Sequence, residues 1–191
     1  MKRIFLIILV TILYLIFMRG VASQLAADFN YAYSQQLLRE TNYPKALEFS
    51  QHAISQNPNE PRYYYGKAKV LLAQLPNASK DNILELLTVA EKVNPQNLVT
   101  LRNVAPFYYF LAVSDLQRPE GPQNLDQKFL PITTKFFENL SSSYPADAGV
   151  QVLVAKYEKK LGLTELYQAK LVKIRQLRPD LLEWYPELVV L

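Results

Sequence analysis

Apolar residues recur along most of the chain at intervals of three and four, the spacing that gathers side chains on one face of an α-helix. The clearest example is the stretch from 43 to 60, YPKALEFSQHAISQNPNE. Pro44 stands where the first turn of a helix tolerates proline, and Pro58 ends the run. The apolar positions at helical spacing are Ala46, Leu47, Phe49, Ala53 and Ile54. This pattern predicts one amphipathic helix, the second helix of a helical hairpin.

Prolines mark the ends of such second helices along the chain. The prolines in question are Pro58, Pro95, Pro145 and Pro179, each followed closely by Asn or Asp. They predict hairpin repeats at about 27–60, 61–97, 98–147 and 148–181. Residues 182–191 predict a short final helix that covers the exposed face of the last hairpin, with Trp184 and Leu188 as its buried side chains.

The small residues of the first hairpin resemble those of a tetratricopeptide repeat, a motif with a period of about 34 residues. The matching positions are Ala46, Ala53, Pro58 and Asn59 in the closing half, after an opening half at 28–40. The likeness covers residues 27–180. It implies an all-α fold for residues 24–191: a tetratricopeptide-like solenoid of about four helical hairpins, with a C-terminal capping helix.

The second and third repeats depart from this period. In the second repeat, Tyr64 and Ala68 are expected on the buried face of the first helix, and either Ser79 or Asp81 is expected to cap the second. The third repeat holds roughly sixteen extra residues, including RPEGPQN, which predicts an exposed loop. Asn124 followed by Gln127 predicts a capping box that starts the next helix.

The N-terminal segment differs from the rest because its apolar run is unbroken. Residues 4–18, IFLIILVTILYLIFM, include twelve Ile, Leu, Phe or Val residues and no charge. At roughly −0.4 kcal/mol each, these residues favour membrane insertion by about 5 kcal/mol. Since the run covers about 22 Å of a hydrocarbon core of about 30 Å, contact with the bilayer is expected across residues 4–22. The sequence therefore predicts a transmembrane helix, or signal anchor, over residues 1–23.

The same segment allows a second interpretation. A cleaved signal peptide is cut after small residues, and VAS at 21–23 fits such a cut. Arg19 lies between the apolar run and that cut, and the helical pattern continues without a break beyond it, which favours an anchor. Lys2 and Arg3 then hold the N-terminus in the cytoplasm, so a single-pass cell-membrane protein with its repeat domain on the outer side is expected.

Net charge and cysteine content exclude several classes of partner and site. The chain of 191 residues carries a formal charge of +4, but Lys2, Arg3 and Arg19 flank the membrane segment. The remaining 18 basic and 17 acidic residues nearly balance, so nucleic-acid binding has little electrostatic support. With no cysteine in the sequence, a disulfide framework and thiolate metal sites are excluded.

Patterns typical of catalysis or metal binding are missing from the sequence. The only histidine, His52, lies on the solvent side of its predicted helix, without a nucleophile or an orienting carboxylate beside it. No glycines have the spacing of a phosphate-binding loop. Glu-Lys neighbours such as Glu91-Lys92 and Glu158-Lys159 indicate solvated helix faces. We therefore expect a protein that is not an enzyme and that binds no cofactor or metal.

The resemblance also implies a binding surface. In tetratricopeptide proteins the first helices line a concave groove that takes an extended peptide or a partner helix. By position, the groove residues here are Tyr31, Gln35, Arg62, Tyr65, Lys69, Arg102, Asn103 and Lys156. Because Arg and Tyr are enriched at binding hot spots, this set fits an acidic group or a C-terminal carboxylate.

The fourth repeat adds a basic patch suited to lipid headgroups or an acidic partner. Apart from Lys156, its residues are Lys159, Lys160, Lys170, Lys173, Arg175 and Arg178. Taken together, the sequence predicts a membrane-anchored scaffold that binds a protein or peptide partner in the groove.

Two other functions remain open at this stage. One is a secreted or periplasmic binding module released by cleavage after Ser23. The other follows from a second resemblance: AADFNYAY and then NPNEPRYYY are similar to the repeat tail that follows the last membrane helix of bacterial O-antigen-ligase-like proteins. That resemblance implies an accessory subunit of an envelope-glycan membrane enzyme.

Overall fold

The computed structural model describes residues 2–75, 78–118 and 120–189. Within these ranges the secondary structure is helical and no strand forms, apart from an isolated antiparallel bridge between Val113 and Leu125. The helices follow one another as hairpins, so the predicted all-α, tetratricopeptide-like fold is confirmed. The chain divides into two compact units, residues 1–95 (unit 1) and 96–191 (unit 2).

Unit 1 contains two helical hairpins. Its helices are α1 (Lys2–Arg39), α2 (Tyr43–Gln56), α3 (Pro61–Leu72) and α4 (Lys80–Val93). α1 is 38 residues long, because the apolar N-terminal segment continues without interruption into the first helix of the first hairpin. The side chain of Ser23 donates a hydrogen bond of 2.9 Å to the backbone carbonyl of Gln56, at the end of α2. The hairpin contacts therefore begin directly after the apolar segment.

Local signals place the helix starts of unit 1. Pro44 lies in the first turn of α2, and Pro61 is the first residue of α3. The Glu60 carboxylate accepts a hydrogen bond from the Arg62 backbone N–H. The Ser79 hydroxyl accepts one of 3.2 Å from the Asp81 backbone N–H, so of the two candidates Ser79 and Asp81 it is Ser79 that caps α4.

Fully buried alanines let the helices of unit 1 pack closely. Ala27 and Ala53 share a core cluster with Tyr63, and Ala46 packs with Leu37 and Val70 in a second cluster. Ala68 and Ala90 are fully buried as well. The Ser34 hydroxyl, also buried, donates a hydrogen bond of 2.7 Å to the Ala46 carbonyl, so the hydroxyl has a partner at that contact.

The expected buried face of α3 was confirmed at Ala68 and only in part at Tyr64, which packs against the core cluster that contains Tyr63. Tyr63, rather than Tyr64, is the buried tyrosine, while Tyr64 is half-buried and donates a hydrogen bond to the Pro58 carbonyl. The Tyr63 hydroxyl reaches the Asp28 carboxylate on α1, and this partner on another helix fixes which face of α3 turns inward.

Unit 2 contains the other hairpins and the C-terminal segment. Its helices are α5 (Leu98–Leu111), α6 (Leu130–Ser143), α7 (Ala148–Lys160), α8 (Thr164–Leu177) and α9 (Leu181–Trp184). Short 3-10 turns lie at Pro122–Asn124 and Pro186–Leu188. The backbone N–H groups of α5 and α7 are capped by Asn97 and Asp147, which bond Thr100 and Val150 at 3.0 Å each.

Aromatic side chains fill the space between α5, α6 and α7. Tyr108 stacks on Phe136 with ring centroids 4.0 Å apart, and Phe137 is fully buried against Tyr157 at 5.9 Å. The Thr133 hydroxyl donates a hydrogen bond of 2.8 Å to the Tyr108 carbonyl and ties α6 to α5.

The insertion of the third repeat is held by Asn124 rather than by a capping box. The Asn124 side chain accepts a hydrogen bond from the Asp115 N–H at 2.7 Å and donates to the carbonyls of Asp115 and Arg118. Because these loop contacts occupy the amide, it caps no helix, and α6 begins only at Leu130. The predicted helix start at Asn124 and Gln127 was therefore wrong.

The C-terminal segment covers the last hairpin through one of the two predicted residues. Leu188 is buried in a cluster with Tyr167 and Leu171, and the Tyr167 hydroxyl donates to the Leu188 carbonyl. Trp184 is 71% exposed, so its predicted burial was wrong. The closing segment is a short helix and a 3-10 turn, and the last two residues of the predicted range 182–191 lie outside the described residues.

Candidate functional site

The first-helix side of unit 1 brings several predicted groove residues together. Tyr31 and Gln35 on α1 lie against Gly66 of α3, where an added Cβ would overlap the Tyr31 ring. The Arg62 guanidinium carbon lies 5.6 Å from the centroid of that ring. On α3, Arg62, Tyr65 and Lys69 share one face because they follow the spacing i, i+3 and i+7. We call the set of Tyr31, Gln35, Arg62, Tyr65 and Lys69 the unit 1 face.

Arg62 is committed to contacts within unit 1. Its guanidinium pairs with the Asp28 carboxylate, which also accepts the Tyr63 hydroxyl, and lies 3.7 Å from Glu60. Asp28 and Arg62 stand on the first helices of successive hairpins, so the pair joins those helices. By contrast, Lys69 is exposed and has no ion-pair partner in the described part of the chain.

Unit 2 repeats this arrangement with Arg102 and Asp147. The Arg102 guanidinium lies 2.7 Å from the carboxylate of Asp147, the residue that caps α7. The same guanidinium packs over Gly149, where an added Cβ would come within 2.9 Å of one of its nitrogens. Asn103 is exposed beside Arg102 on α5, and Lys156 is exposed on α7. Both predicted arginines therefore hold first helices together within their units.

The predicted basic patch is divided among several sites. Lys170 lies 3.9 Å from the Glu158 carboxylate, and Arg178 pairs with Asp180 at 2.7 Å. Lys173 and Arg175 lie on α8. Lys159 and Lys160 instead join Lys156 around one cleft at the end of α7.

That cleft, which we call the α7 cleft, has a volume of about 600 Å³. Its lining residues are Glu120, Gly121, Lys156, Lys159, Lys160, Glu187 and Leu188. The Lys160 ammonium lies 2.5 Å from the Glu120 carboxylate, and the Lys159 ammonium donates a hydrogen bond of 2.6 Å to the Glu187 carbonyl. A volume of this size falls within the range of small-molecule and peptide side-chain pockets.

A second cleft of about 640 Å³ lies in unit 1 between α2, α3 and α4. Its lining mixes apolar side chains such as Ile54 and Leu86 with Lys67, whose ammonium donates to the Gln51 amide oxygen at 2.6 Å. Burial lowers the pKa of Lys67, although Glu85 opposes that shift. None of the predicted groove residues lines this cleft.

Sequence reasoning missed Glu158, which it assigned to a solvated face. Glu158 is 1% exposed, and neither carboxylate oxygen has a hydrogen-bond partner among the described residues. Burial raises the pKa of Glu158 to about 7, with Lys170 opposing the shift and Glu138 adding to it. The signal was present in the helical period, since Glu158 shares a face with the fully buried Val154 and Leu161.

The raised pKa of Glu158 predicts that the protein loses stability as pH rises. Between pH 4.5 and about 7 the folded chain keeps this proton while the unfolded chain releases it, so the stabilisation is complete below 4.5 and lost by about 7. A shift of this size corresponds to about 3 kcal/mol. We expect Glu158→Gln to raise the free energy of unfolding at pH 8 by up to about this amount, and to change it little at pH 4.5.

Urea unfolding followed by circular dichroism across this pH range measures the effect. Glu165→Gln is the matched control, because Glu165 lies exposed in the first turn of α8. Equal pH profiles for the wild type and Glu158→Gln would contradict the assignment of the buried proton to this residue.

The remaining candidates for chemistry are sparse. His52 is exposed, with its ring nitrogen 3.7 Å from the Glu48 carboxylate one helical turn away, so the expectation that no carboxylate lies beside it was wrong. Among the residues that the structure describes, no group of three or more His, Asp or Glu side chains is arranged to hold a metal ion. The absence of an enzymatic site stays a prediction.

Comparison with known proteins supports the fold. The chain is similar to the crystal structure of a thermophilic TPR protein from Thermus thermophilus, with a TM-score of 0.51 and 20% sequence identity. The match covers 81% of this chain and 75% of that one. No protein-family model matches the sequence. None of the curated proteins matches it either.

Proposed function

We propose that this chain is a membrane-anchored scaffold that holds a partner protein near the membrane surface. The observation that carries the proposal is α1, in which one long apolar N-terminal helix continues as the first helix of a tetratricopeptide-like unit. A helix of this length and composition is able to cross a bilayer, and none of its apolar window is buried inside the protein. The excess of positive charge before the apolar run favours a cytoplasmic N-terminus, with the repeats on the other side.

The binding part of the proposal rests on the unit 1 face. Tyr31, Tyr65 and Arg62 provide aromatic and guanidinium surface, the composition of protein-binding hot spots. Lys69 adds an exposed positive charge on the same face of α3. Such a face suits a protein or peptide segment that carries an acidic group.

Two alternatives make different predictions for the purified protein. A periplasmic or secreted module would lack residues 1–23, so an intact N-terminus in the mature protein excludes it. An accessory subunit of an envelope-glycan enzyme would bring a polytopic glycan enzyme with it during purification. The scaffold proposal requires the intact N-terminus and a partner, and its binding part requires that recovery of this partner depends on the unit 1 face.

Lys69→Glu tests the role of the unit 1 face. We expect this variant to recover at least about tenfold less partner than the wild type, because the reversed charge repels an acidic segment. Arg62 is unsuitable for such a test, since its replacement would also break the contact with Asp28. The measurement is a pull-down of full-length protein from detergent-solubilised native membranes, read by quantitative mass spectrometry.

Lys45→Glu is the matched control, because Lys45 is exposed on α2 and the charge change is the same. Partner recovery that falls equally in both variants would show a general charge effect and remove the unit 1 face from the proposal. If the wild type recovers no partner at all, the scaffold function is wrong.

A further inference from the structure

Two segments that lie outside the 34-residue repeat pattern meet at the C-terminal end of α7. The insertion between α5 and α6 reaches it through Gly121, whose N–H donates a hydrogen bond of 3.0 Å to the Lys160 carbonyl. The segment after α9 reaches it through Glu187, whose carbonyl accepts the Lys159 ammonium. Insertions in repeat proteins commonly lie on the binding face. The α7 cleft is therefore built by the parts of unit 2 that an ordinary repeat lacks.

Backbone packing fixes the walls of this cleft. Pro122 lies against Gly162, where an added Cβ would come within 3.0 Å of the proline ring. Gly162 also has a φ of 71°, which a residue with a side chain adopts only with strain. On the opposite wall, Leu188 is buried and its carbonyl accepts the Tyr167 hydroxyl. The cleft is thus a formed feature of unit 2.

One of the lysines that line the cleft has no charged partner among the described residues. Lys160 pairs with Glu120, and Lys159 bonds the Glu187 carbonyl. Lys156 is exposed, and its ammonium has neither an ion pair nor a hydrogen bond with any other described residue. Among the described residues of the lining, three lysines against two carboxylates give a net positive charge.

Basic residues also lie along one face of α7. Gly149, Lys156 and Lys160 are separated by seven and four residues, so they share a face of α7. The Arg102 guanidinium lies over Gly149 at the start of this face. That stretch of helix is about 16 Å long, the length of roughly five residues of extended peptide. On this face Arg102 and Lys160 are paired with Asp147 and Glu120, so Lys156, at the cleft, is the cation left for a ligand among the described residues.

We propose that the α7 cleft binds an acidic peptide segment of the partner, with a carboxylate of the peptide paired to Lys156. This inference rests on the proposed scaffold function. The two carboxylates of the lining, Glu120 and Glu187, disfavour densely charged ligands such as phosphate groups, and they accept hydrogen bonds from peptide N–H groups. A single unpaired lysine matches a single carboxylate.

The test uses the full chain in neutral detergent micelles and, as the probe, a fluorescein-labelled peptide that carries one glutamate among glycine and serine residues. We expect fluorescence anisotropy to show binding to the wild type, and at least about tenfold weaker binding to Lys156→Glu. Lys156→Gln should fall between the two. Lys135→Glu is the matched control, because it makes the same change at an exposed lysine on α6, outside the lining of the cleft, and should bind like the wild type.

Several results would overturn the inference. These are failure of the wild type to bind the probe, equal weakening by Lys156→Glu and Lys135→Glu, and displacement of the probe by phosphatidylglycerol vesicles, which would indicate a lipid surface instead. A native pull-down with Lys156→Glu separates this inference from the scaffold function. If Lys156→Glu recovers as much partner as the wild type, the cleft has no role in partner binding and the scaffold function stands. If the wild type binds the probe but recovers no partner, the scaffold function alone is wrong.

Discussion

Replacing Leu9 and Leu13 together by arginine is expected to release the full-length protein from the membrane. The twelve Ile, Leu, Phe and Val residues of the apolar run favour insertion by about 5 kcal/mol in total. Each Leu→Arg change removes one such contribution and adds about 3 kcal/mol of cost, so two changes make insertion unfavourable by about 2 kcal/mol. Both leucines are exposed on α1, and their replacement breaks no packing inside the protein.

Extraction of isolated membranes with alkaline carbonate measures this release. The matched control is Leu9→Ala with Leu13→Ala, which removes the same leucines without adding charge and should stay in the membrane pellet. An arginine variant that resists extraction as the wild type does would show that α1 is not the anchor, and the proposed location of the protein would then be wrong.

Phe137→Ala is expected to have the largest effect on the stability of unit 2. Phe137 is fully buried, packs edge-on to Phe136 at 5.8 Å and stacks on Tyr157. Truncating a buried phenylalanine costs about 3–5 kcal/mol, since the transfer energy is lost and a cavity remains. Urea unfolding followed by circular dichroism should show a matching fall in the free energy of unfolding.

Val99→Ala is the control for this change. Val99 lies in the first turn of α5 and is 67% exposed, so its truncation should change the free energy of unfolding by less than about 0.5 kcal/mol. A loss below about 1 kcal/mol for Phe137→Ala would mean that the aromatic cluster does not form the core of unit 2.

The hairpin pattern was predictable from the sequence because its causes are local. Pro44 and Pro61 begin helices, Ser79 caps one, and fully buried alanines such as Ala46 and Ala53 mark where two helices approach closely. Each of these effects acts within a few residues, so one stretch of sequence contains it.

The features that escaped prediction depend on residues far apart in the chain. The burial of Tyr63 follows from Asp28, 35 positions earlier, and the loop role of Asn124 from Asp115 and Arg118. The α7 cleft needs the insertion and the C-terminal segment to reach the same helix end. The periodicity of one helix does not show which distant segments of the chain contact it. Glu158 differs, because the helical period alone would have placed it inward.

The predicted groove residues were found on first helices, but their roles were only partly predictable. An arginine next to tyrosines in a sequence is compatible with a binding hot spot and also with an ion pair inside the protein. Which of the two forms depends on whether a carboxylate lies within reach of the guanidinium. Arg62 and Arg102 have such carboxylates in Asp28 and Asp147, and Lys69 and Lys156 have none among the described residues. The lysines are therefore the sharper probes of binding.

In the proposed anchored state, the unbroken course of α1 also determines how far a cargo on unit 1 travels. A tether of loose chain lets its cargo sample a hemisphere above its attachment point, and the local concentration falls as the tether lengthens. α1 has 38 residues, a rod of about 57 Å, and its hairpin contacts start at Ser23. When the helix tilts, unit 1 therefore tilts with it. A cargo on unit 1 stays within a narrow range of distances from the bilayer surface. Such confinement raises the encounter rate with neighbours in the same membrane without any increase in affinity.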